Sequence, residues 1–243
     1  MRRFYAPPEN FRDKIITLGN EETKHLCDVL RLREGAEVYV FDGFGSEFRC
    51  KIALIEKRET KLDILEKVAP KSPESRLKLT LGVALLKGEK FDLIVQKSCE
   101  LGVFKIVPLL TKRADVKIKD AREGKKKLER WQKIALEAAK QSGRAKLMRI
   151  DAPVLFEKFI ESSNGIKILF SEGNGESFEN AEAENVSEIT AVIGSEGGWE
   201  NAEIEAARAK NFQITTLGGR ILRAETAVIV VAALLQNHFG DLK

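Results

Sequence analysis

The stretch Thr190–Gly198 reads TAVIGSEGG, an apolar run that breaks onto glycines with a serine and a glutamate between them. Two further stretches repeat the device: Ile166–Gly173 is IKILFSEG, and Gln213–Arg223 is QITTLGGRILR. A short apolar run bounded by glycine reads as a buried strand. The spacing therefore predicts strands over 166–170, 190–193 and 213–217, each running into a loop able to approach a ligand closely with free backbone N–H groups. In an open parallel sheet, ligands bind beyond the carboxyl ends of the strands. Three such exits are either three tight strand–helix turns or the walls of one site.

Working outward, strand and helix patterns alternate. Leu77–Leu86 and Lys105–Leu109 read as strands. Phe91, Ile94, Val95, Cys99 and Leu101 recur at helical spacing, with Gly102 to close the helix. Leu128, Trp131, Ile134, Ala135, Ala138 and Ala139 mark a longer helix ending at Ser142-Gly143. Ala202–Lys210 is helical with Asn211 as a left-handed cap, and Ala224–Phe239 is a final buried helix. Alternation of this kind implies a parallel α/β sheet. Residues 172–188 read as a surface loop with a weak helix.

Upstream, the pattern is β-rich. Asn20 is placed to cap a helix over Glu21–Leu30, which Gly35 stops. Glu37–Phe41 has strand composition, Asp42-Gly43-Phe44-Gly45 is a turn, and Phe48–Ile55 and Lys61–Val68 are further strands. Pro70-Lys71-Ser72-Pro73 breaks the pattern as a linker, so the expected domains are 1–70 and 74–243.

Charged residues are 32% and hydrophobic residues 43% of 243, which supplies a large core and excludes intrinsic disorder. Three cysteines and two histidines are too few for a disulfide framework or a histidine-rich metal site. The start, MRRFYAPPEN, lacks the apolar stretch of a secretory signal. The longest apolar run, Ala227–Leu235, falls well short of the about 20 residues that span a bilayer. These features read as a soluble cytoplasmic protein.

The net charge of +4 hides an asymmetry: residues 105–149 carry 15 basic and 5 acidic side chains, residues 150–211 carry 4 and 13. The basic block is either a polyanion-binding surface or a solvated lysine-rich helix face. The candidate phosphate contacts are Arg2, Arg3, Lys24, Arg31 and Arg33 near the N-terminus, and Lys112, Arg113, Lys117, Lys140 and Arg144 in the block. His25 is read as structural or RNA-facing, and Cys99 as core. The 194–198 loop lacks the G-x-G-x-x-G spacing of a dinucleotide site and the Gly-Lys-Ser/Thr of a phosphate loop, which weighs against dehydrogenase and kinase readings.

Gly194-Ser195-Glu196-Gly197-Gly198 with Ile221-Leu222-Arg223-Ala224-Glu225-Thr226-Ala227 resembles the signature of the RsmE-type ribosomal RNA methyltransferases, of the SPOUT class. The resemblance extends to Lys87-Gly88-Glu89-Lys90, to Gln96–Val103, to Gln141-Ser142-Gly143-Arg144, and to His25-Leu26 with Val29-Leu30-Arg31, and so covers nearly the whole chain. Ser195 departs from the proline usual in that family, a loss of about 0.4–1 kcal/mol of loop rigidity.

The resemblance implies an N-terminal PUA-like β-barrel and a C-terminal α/β domain with a trefoil knot, dimeric through that domain. It implies S-adenosylmethionine-dependent methylation of nitrogen 3 of one uridine in small-subunit ribosomal RNA, free or in the 30S particle. The cofactor would be held by Leu169, Phe170, Ser171 and Glu172 of one loop, by Gly194 to Gly198 of the second, and by Leu217, Gly218, Arg220, Ile221, Leu222 and Thr226 of the third. On that reading Gly197→Val blocks the pocket. Arg223 is the candidate for stabilising the uridine anion, or else a structural ion-pair partner of Glu225. Glu196 is a candidate base or ribose ligand. Open alternatives are an RNA methyltransferase of the same fold acting on a ribose hydroxyl or on transfer RNA, and a non-catalytic RNA-binding assembly protein.

Overall fold

The computed structural model describes residues 2–172, 175–177 and 186–243. Gly173, Asn174 and residues 178–185 of the expected 172–188 loop lie outside the described residues. The chain divides into two compact units, one of Met1–Glu74 with Leu136–Leu147, the other of Ser75–Ala135 with Met148–Lys243. The expected 74–243 domain thus yields residues 136–147 to the N-terminal unit.

In the N-terminal unit six described strands form one sheet: β1 (Arg3–Tyr5), β2 (Phe11–Arg12), β3 (Ile15–Leu18), β4 (Glu37–Phe41), β5 (Glu47–Ile55) and β6 (Thr60–Val68), in the order β1-β4-β5-β6-β3-β2. Alternation along these strands sends Phe4, Ile16, Leu18, Val38, Val40, Cys50, Ile52 and Leu62 into one core. The turn between β4 and β5 is the expected one: Asp42 Oδ1 accepts the N–H groups of Phe44 and Ser46, and Gly43 and Gly45 supply positive φ. Helix α1 (Asn20–Lys24) begins after Gly19 rather than being capped by Asn20, and it widens into a π-helical turn over His25–Val29. His25 packs edge-on against Phe4 within this unit.

The second unit carries β7 (Lys78–Ala84), β8 (Lys105–Leu110), β9 (Arg149–Ile150), β10 (Val154–Leu155), β11 (Ile166–Phe170), β12 (Glu176–Ser177), β13 (Glu188–Ile193) and β14 (Gln213–Thr216). They form one parallel sheet in the order β10-β8-β7-β13-β11-β14-β12, with β9 paired beside β8. Its helices are α2 (Lys90–Glu100), the greater part of α3 (Ala121–Ser142), α4 (Phe156–Glu161), α5 (Asn201–Ala209) and α6 (Ala224–Phe239). Nearly continuous apolar strands such as Leu79–Ala84 and Ile189–Ile193, each interrupted by a buried threonine, are buried on both faces, as a sheet covered by helices requires. Cys99 is in this core. No helix among the described residues is long and apolar enough to cross a membrane.

One connection positions the site. Strand β14 lies outside β11, yet α6, which follows it, packs on α2, β7 and β13. Residues 217–223 must therefore cross the carboxyl ends of β11 and β13 to bring α6 back to that side.

Candidate functional site

The three glycine-bearing exits converge on one cavity of about 690 Å³ at the carboxyl ends of β11, β13 and β14. That size suits a nucleoside-sized ligand. Its walls are Phe170, Ser171, Glu172 and Gly175 after β11; Ile193 to Glu196, Gly198 and Trp199 after β13; and Thr216 to Arg223, with Ala224 and Ala227 of α6, after β14.

Local bonding fixes these walls. Ser171 N donates to Thr215 O, joining the ends of β11 and β14. Trp199 Nε1 donates to Phe170 O at 2.9 Å, while its ring packs against Phe156. The indole thus ties the second loop to the end of β11. Gly198, at φ 68°, accepts a tight turn in which its N–H donates to Ser195 O. Gly218, at φ 99°, is the second position where glycine is needed, and a Cβ there or on Gly219 meets only open space. The backbone is therefore bared to the cavity. Ile221, 82% exposed, lies on the same wall with Leu222.

Three expected cofactor contacts lie elsewhere. Leu169 is fully buried in the core with Val192 and Ile214, because alternation along β11 points it onto a covered face of the sheet. Thr226 is exposed but is not on the cavity wall, where Ala227 stands instead. A Cβ on Gly197 would meet Arg113 O at 3.0 Å and Arg113 Cβ at 3.1 Å. Gly197→Val therefore pushes on the 111–115 segment rather than filling the cavity. That segment is pinned to the loop: Ser195 Oγ donates to Arg113 O, Arg113 donates to Gly197 O, and Lys112 N donates to the buried Glu203 of α5. Trp199 and Ala227 were not legible as wall residues, although Trp199 directly follows the glycine motif.

The charged rim is specific. Burial alone would raise the Glu196 carboxyl, but a hydrogen bond from Lys90 Nζ at 2.5 Å, with a backbone hydrogen bond, holds it below the ordinary carboxylate range. Lys90 is raised by the same hydrogen bond, and Arg223 opposes that rise. Glu196 is thus a paired anion and a poor base. Arg223 is exposed on the cavity wall, and its guanidinium makes no hydrogen bond or ion pair with Glu225 or any other described residue.

The expected phosphate contacts divide. Arg3 is 3% exposed: it donates to Glu47 at 2.7 Å and to the carbonyls of Ala139 and Arg144. Arg144 is 4% exposed and pairs with Glu74 at 2.6 Å. Lys140 is held by Glu22 and Glu137. All three are structural, because each finds a carboxylate partner far off in sequence or on its own helix. Arg2, Lys24, Arg31 and Arg33 of the N-terminal unit, and Lys112, Arg113 and Lys117 of the other, are exposed or half-buried.

Comparison with known proteins agrees with this geometry. Residues 73–236 match the model of an RNA methyltransferase domain, and residues 18–65 that of an RNA methyltransferase PUA domain. The chain is 36% identical over 239 residues to the ribosomal RNA small subunit methyltransferase E of Synechocystis, covering 95% of this chain and 76% of that protein. It is 34% identical to the Aquifex aeolicus protein of that name, covering 98% and 100%. The crystal structure of the Neisseria gonorrhoeae ribosomal RNA small subunit methyltransferase E bound to S-adenosyl methionine superposes with a TM-score of 0.90 at 31% identity over the full length of both chains. A Legionella pneumophila protein solved with the same cofactor bound superposes at 0.91 with 32% identity over 99% of each chain. With a PUA-like N-terminal unit, a SPOUT-type parallel sheet and relatives matched over nearly their whole length, the chain belongs to the ribosomal RNA small subunit methyltransferase E family.

Proposed function

We propose that this protein is an S-adenosylmethionine-dependent methyltransferase that modifies nitrogen 3 of a uridine in small-subunit ribosomal RNA. The observation that carries the reading is the 690 Å³ cavity with bared backbone at Gly218 and Gly219 and apolar side chains at Ile221 and Leu222. A nucleoside with a flat apolar base and a hydrogen-bonding edge fits such walls. Phe170, Leu217, Ile221 and Leu222 would enclose the adenine, main-chain groups of the three loops would read its edge, and Glu172 or Glu196 would take the ribose hydroxyls. When bound, the cofactor supplies an electrophilic sulfonium methyl.

Uridine nitrogen 3 is a weakly acidic imide that carries its proton at neutral pH. It must lose that proton for its electron pair to form the new N–C bond. Arg223, exposed and unpaired on the wall, stabilises the negative charge that develops on the ring. Glu196 is held by Lys90, so the proton passes to solvent rather than to that carboxylate. Arg2, Lys24, Arg31 and Arg33, and separately Lys112, Arg113 and Lys117, would grip phosphates and set register, with the target base leaving its stack.

The trefoil knot belongs to the same proposal and is supported by the crossing of residues 217–223 from β14 back to α6. Dimerisation through that domain is supported by the exposure of Ile221 and Leu234. Nucleoside mass spectrometry of small subunits methylated by the purified protein tests the site of transfer. We expect 3-methyluridine. A 2′-O-methylated nucleoside, or methylation of transfer RNA alone, would replace this reading by its rivals.

A further inference from the structure

The Lys87-Gly88-Glu89-Lys90 turn touches neither cofactor nor uridine in the reading above, yet both of its lysines reach segments around the cavity. Lys87 Nζ lies 2.8 Å from Asp115 Oδ2, on the segment pinned beneath the 194–198 loop. Gly88, at φ 64°, reverses the chain. Lys90 Nζ then donates to Glu196 Oε1 and stands 3.8 Å from Glu225 Oε2.

Glu225 Oε2 is buried and accepts no hydrogen bond from a described residue, and the Lys90 ammonium is the described cation within ion-pair distance of it. Arg223 sits two residues earlier, near enough for its charge to oppose that of Lys90. Two cations and two carboxylates thus share one rim. Both carboxylates face Lys90, and neither pairs with Arg223. A guanidinium beside a carboxylate ordinarily forms a forked ion pair, which would cancel its field. A lysine is a compact point charge that can sit between two carboxylates without that fork.

We propose that Lys90 is a positioning residue for methyl transfer: by engaging the buried carboxylate of Glu225 it keeps the Arg223 guanidinium available to an anionic acceptor in the cavity. The inference rests on the role assigned to Arg223 above. On this proposal, loss of Lys90 frees Glu225 to draw the Arg223 guanidinium onto itself and out of the site.

The test compares wild type with Lys90→Met, Lys90→Arg, Lys90→Met/Glu225→Gln and Arg223→Ala. Phenylglyoxal modification, mapped by mass spectrometry, reports the accessibility of Arg223 without reference to activity. We expect its modification in Lys90→Met to slow at least threefold and to return to within twofold of wild type in Lys90→Met/Glu225→Gln. Turnover on small subunits should fall about tenfold or more in Lys90→Met, recover in the double variant and in Lys90→Arg, and show a kcat effect with KM little changed. Calorimetric affinity for S-adenosylmethionine should stay within twofold throughout the Lys90 series. Unchanged phenylglyoxal reactivity in Lys90→Met, or a double variant no better than the single one, would overturn the proposal while leaving Arg223 its role. Wild-type turnover in Arg223→Ala would remove that role and the inference with it.

Discussion

Replacing Arg3 with methionine leaves the Glu47 carboxylate inside the N-terminal unit without its cation. The Arg3 side chain is 1% exposed and that of Glu47 3%, and Nε donates to Oε1 at 2.7 Å. The other Glu47 oxygen already lacks a hydrogen-bond partner among the described residues. The guanidinium also donates to Ala139 O at 3.0 Å and Arg144 O at 2.8 Å, and lies 4.1 Å from the centre of the Phe41 ring. Removing one member of such a buried pair costs about 3–5 kcal/mol, most of it the penalty of stranding the remaining charge. For a domain of 60–100 residues each kcal/mol lowers Tm by about 4–8 °C. Calorimetry and urea denaturation should therefore show the transition of this unit lowered by at least about 12 °C. Arg3→Met/Glu47→Leu, which removes both charges, should recover at least about 2 kcal/mol of the loss. If Arg3→Met melts within about 0.5 kcal/mol of wild type and instead loses RNA affinity, the burial reasoning is wrong and Arg3 returns to the RNA surface.

Other outcomes follow from the same structure. Burial pushes the Cys50 thiol up to about 12, so at pH 8 a thiol reagent should label half-buried Cys27 and reach Cys50 only on unfolding. Because the native state holds the Cys50 proton above the ordinary value of 9.0, stability should decline as pH rises from about 9 towards 12, a trend that Cys50→Ala should reduce. In the centre of β7, a Cβ at Gly82 would fall 2.6 Å from the Phe159 ring, so Gly82→Ala should destabilise the second unit by about 1–3 kcal/mol in denaturant titrations. Neutralising Arg31 and Arg33 together should lower the slope of log affinity against log salt for RNA by about 0.7–0.9 for each phosphate no longer neutralised, with S-adenosylmethionine binding unaltered.

Elements with strong local signals were readable from residues alone. The Ala224–Phe239 helix has the expected bounds, and those of the 42–45 turn and of the strands after it agree to within a residue or two. The three-residue β1 was missed because its signal is not local: Arg3, Phe4 and Tyr5 become a strand by pairing with Tyr39, Val40 and Phe41. Four-residue β3 and six-residue α4 are too short for periodicity to mark them. At the site, glycine spacing indicated which loops converge but not which atoms face inward. Alternation sends Leu169 into the core, and Gly197 turns towards Arg113. The buried charges failed for a different reason. Composition counts Arg3 and Arg144 as basic surface, but their carboxylates stand 44 and 70 residues away and only the fold brings them together.

The central claim is that the cavity between the ends of β11, β13 and β14 receives S-adenosylmethionine. Calorimetric titration of that compound into wild type and into Ala227→Trp, whose indole would occupy the cavity from α6, tests it most directly. The account expects saturable one-site binding by wild type, and at least a fiftyfold weaker affinity in an Ala227→Trp protein that retains its melting transition. Equal affinity in the two proteins, or no heat of binding by wild type at millimolar cofactor, would contradict it.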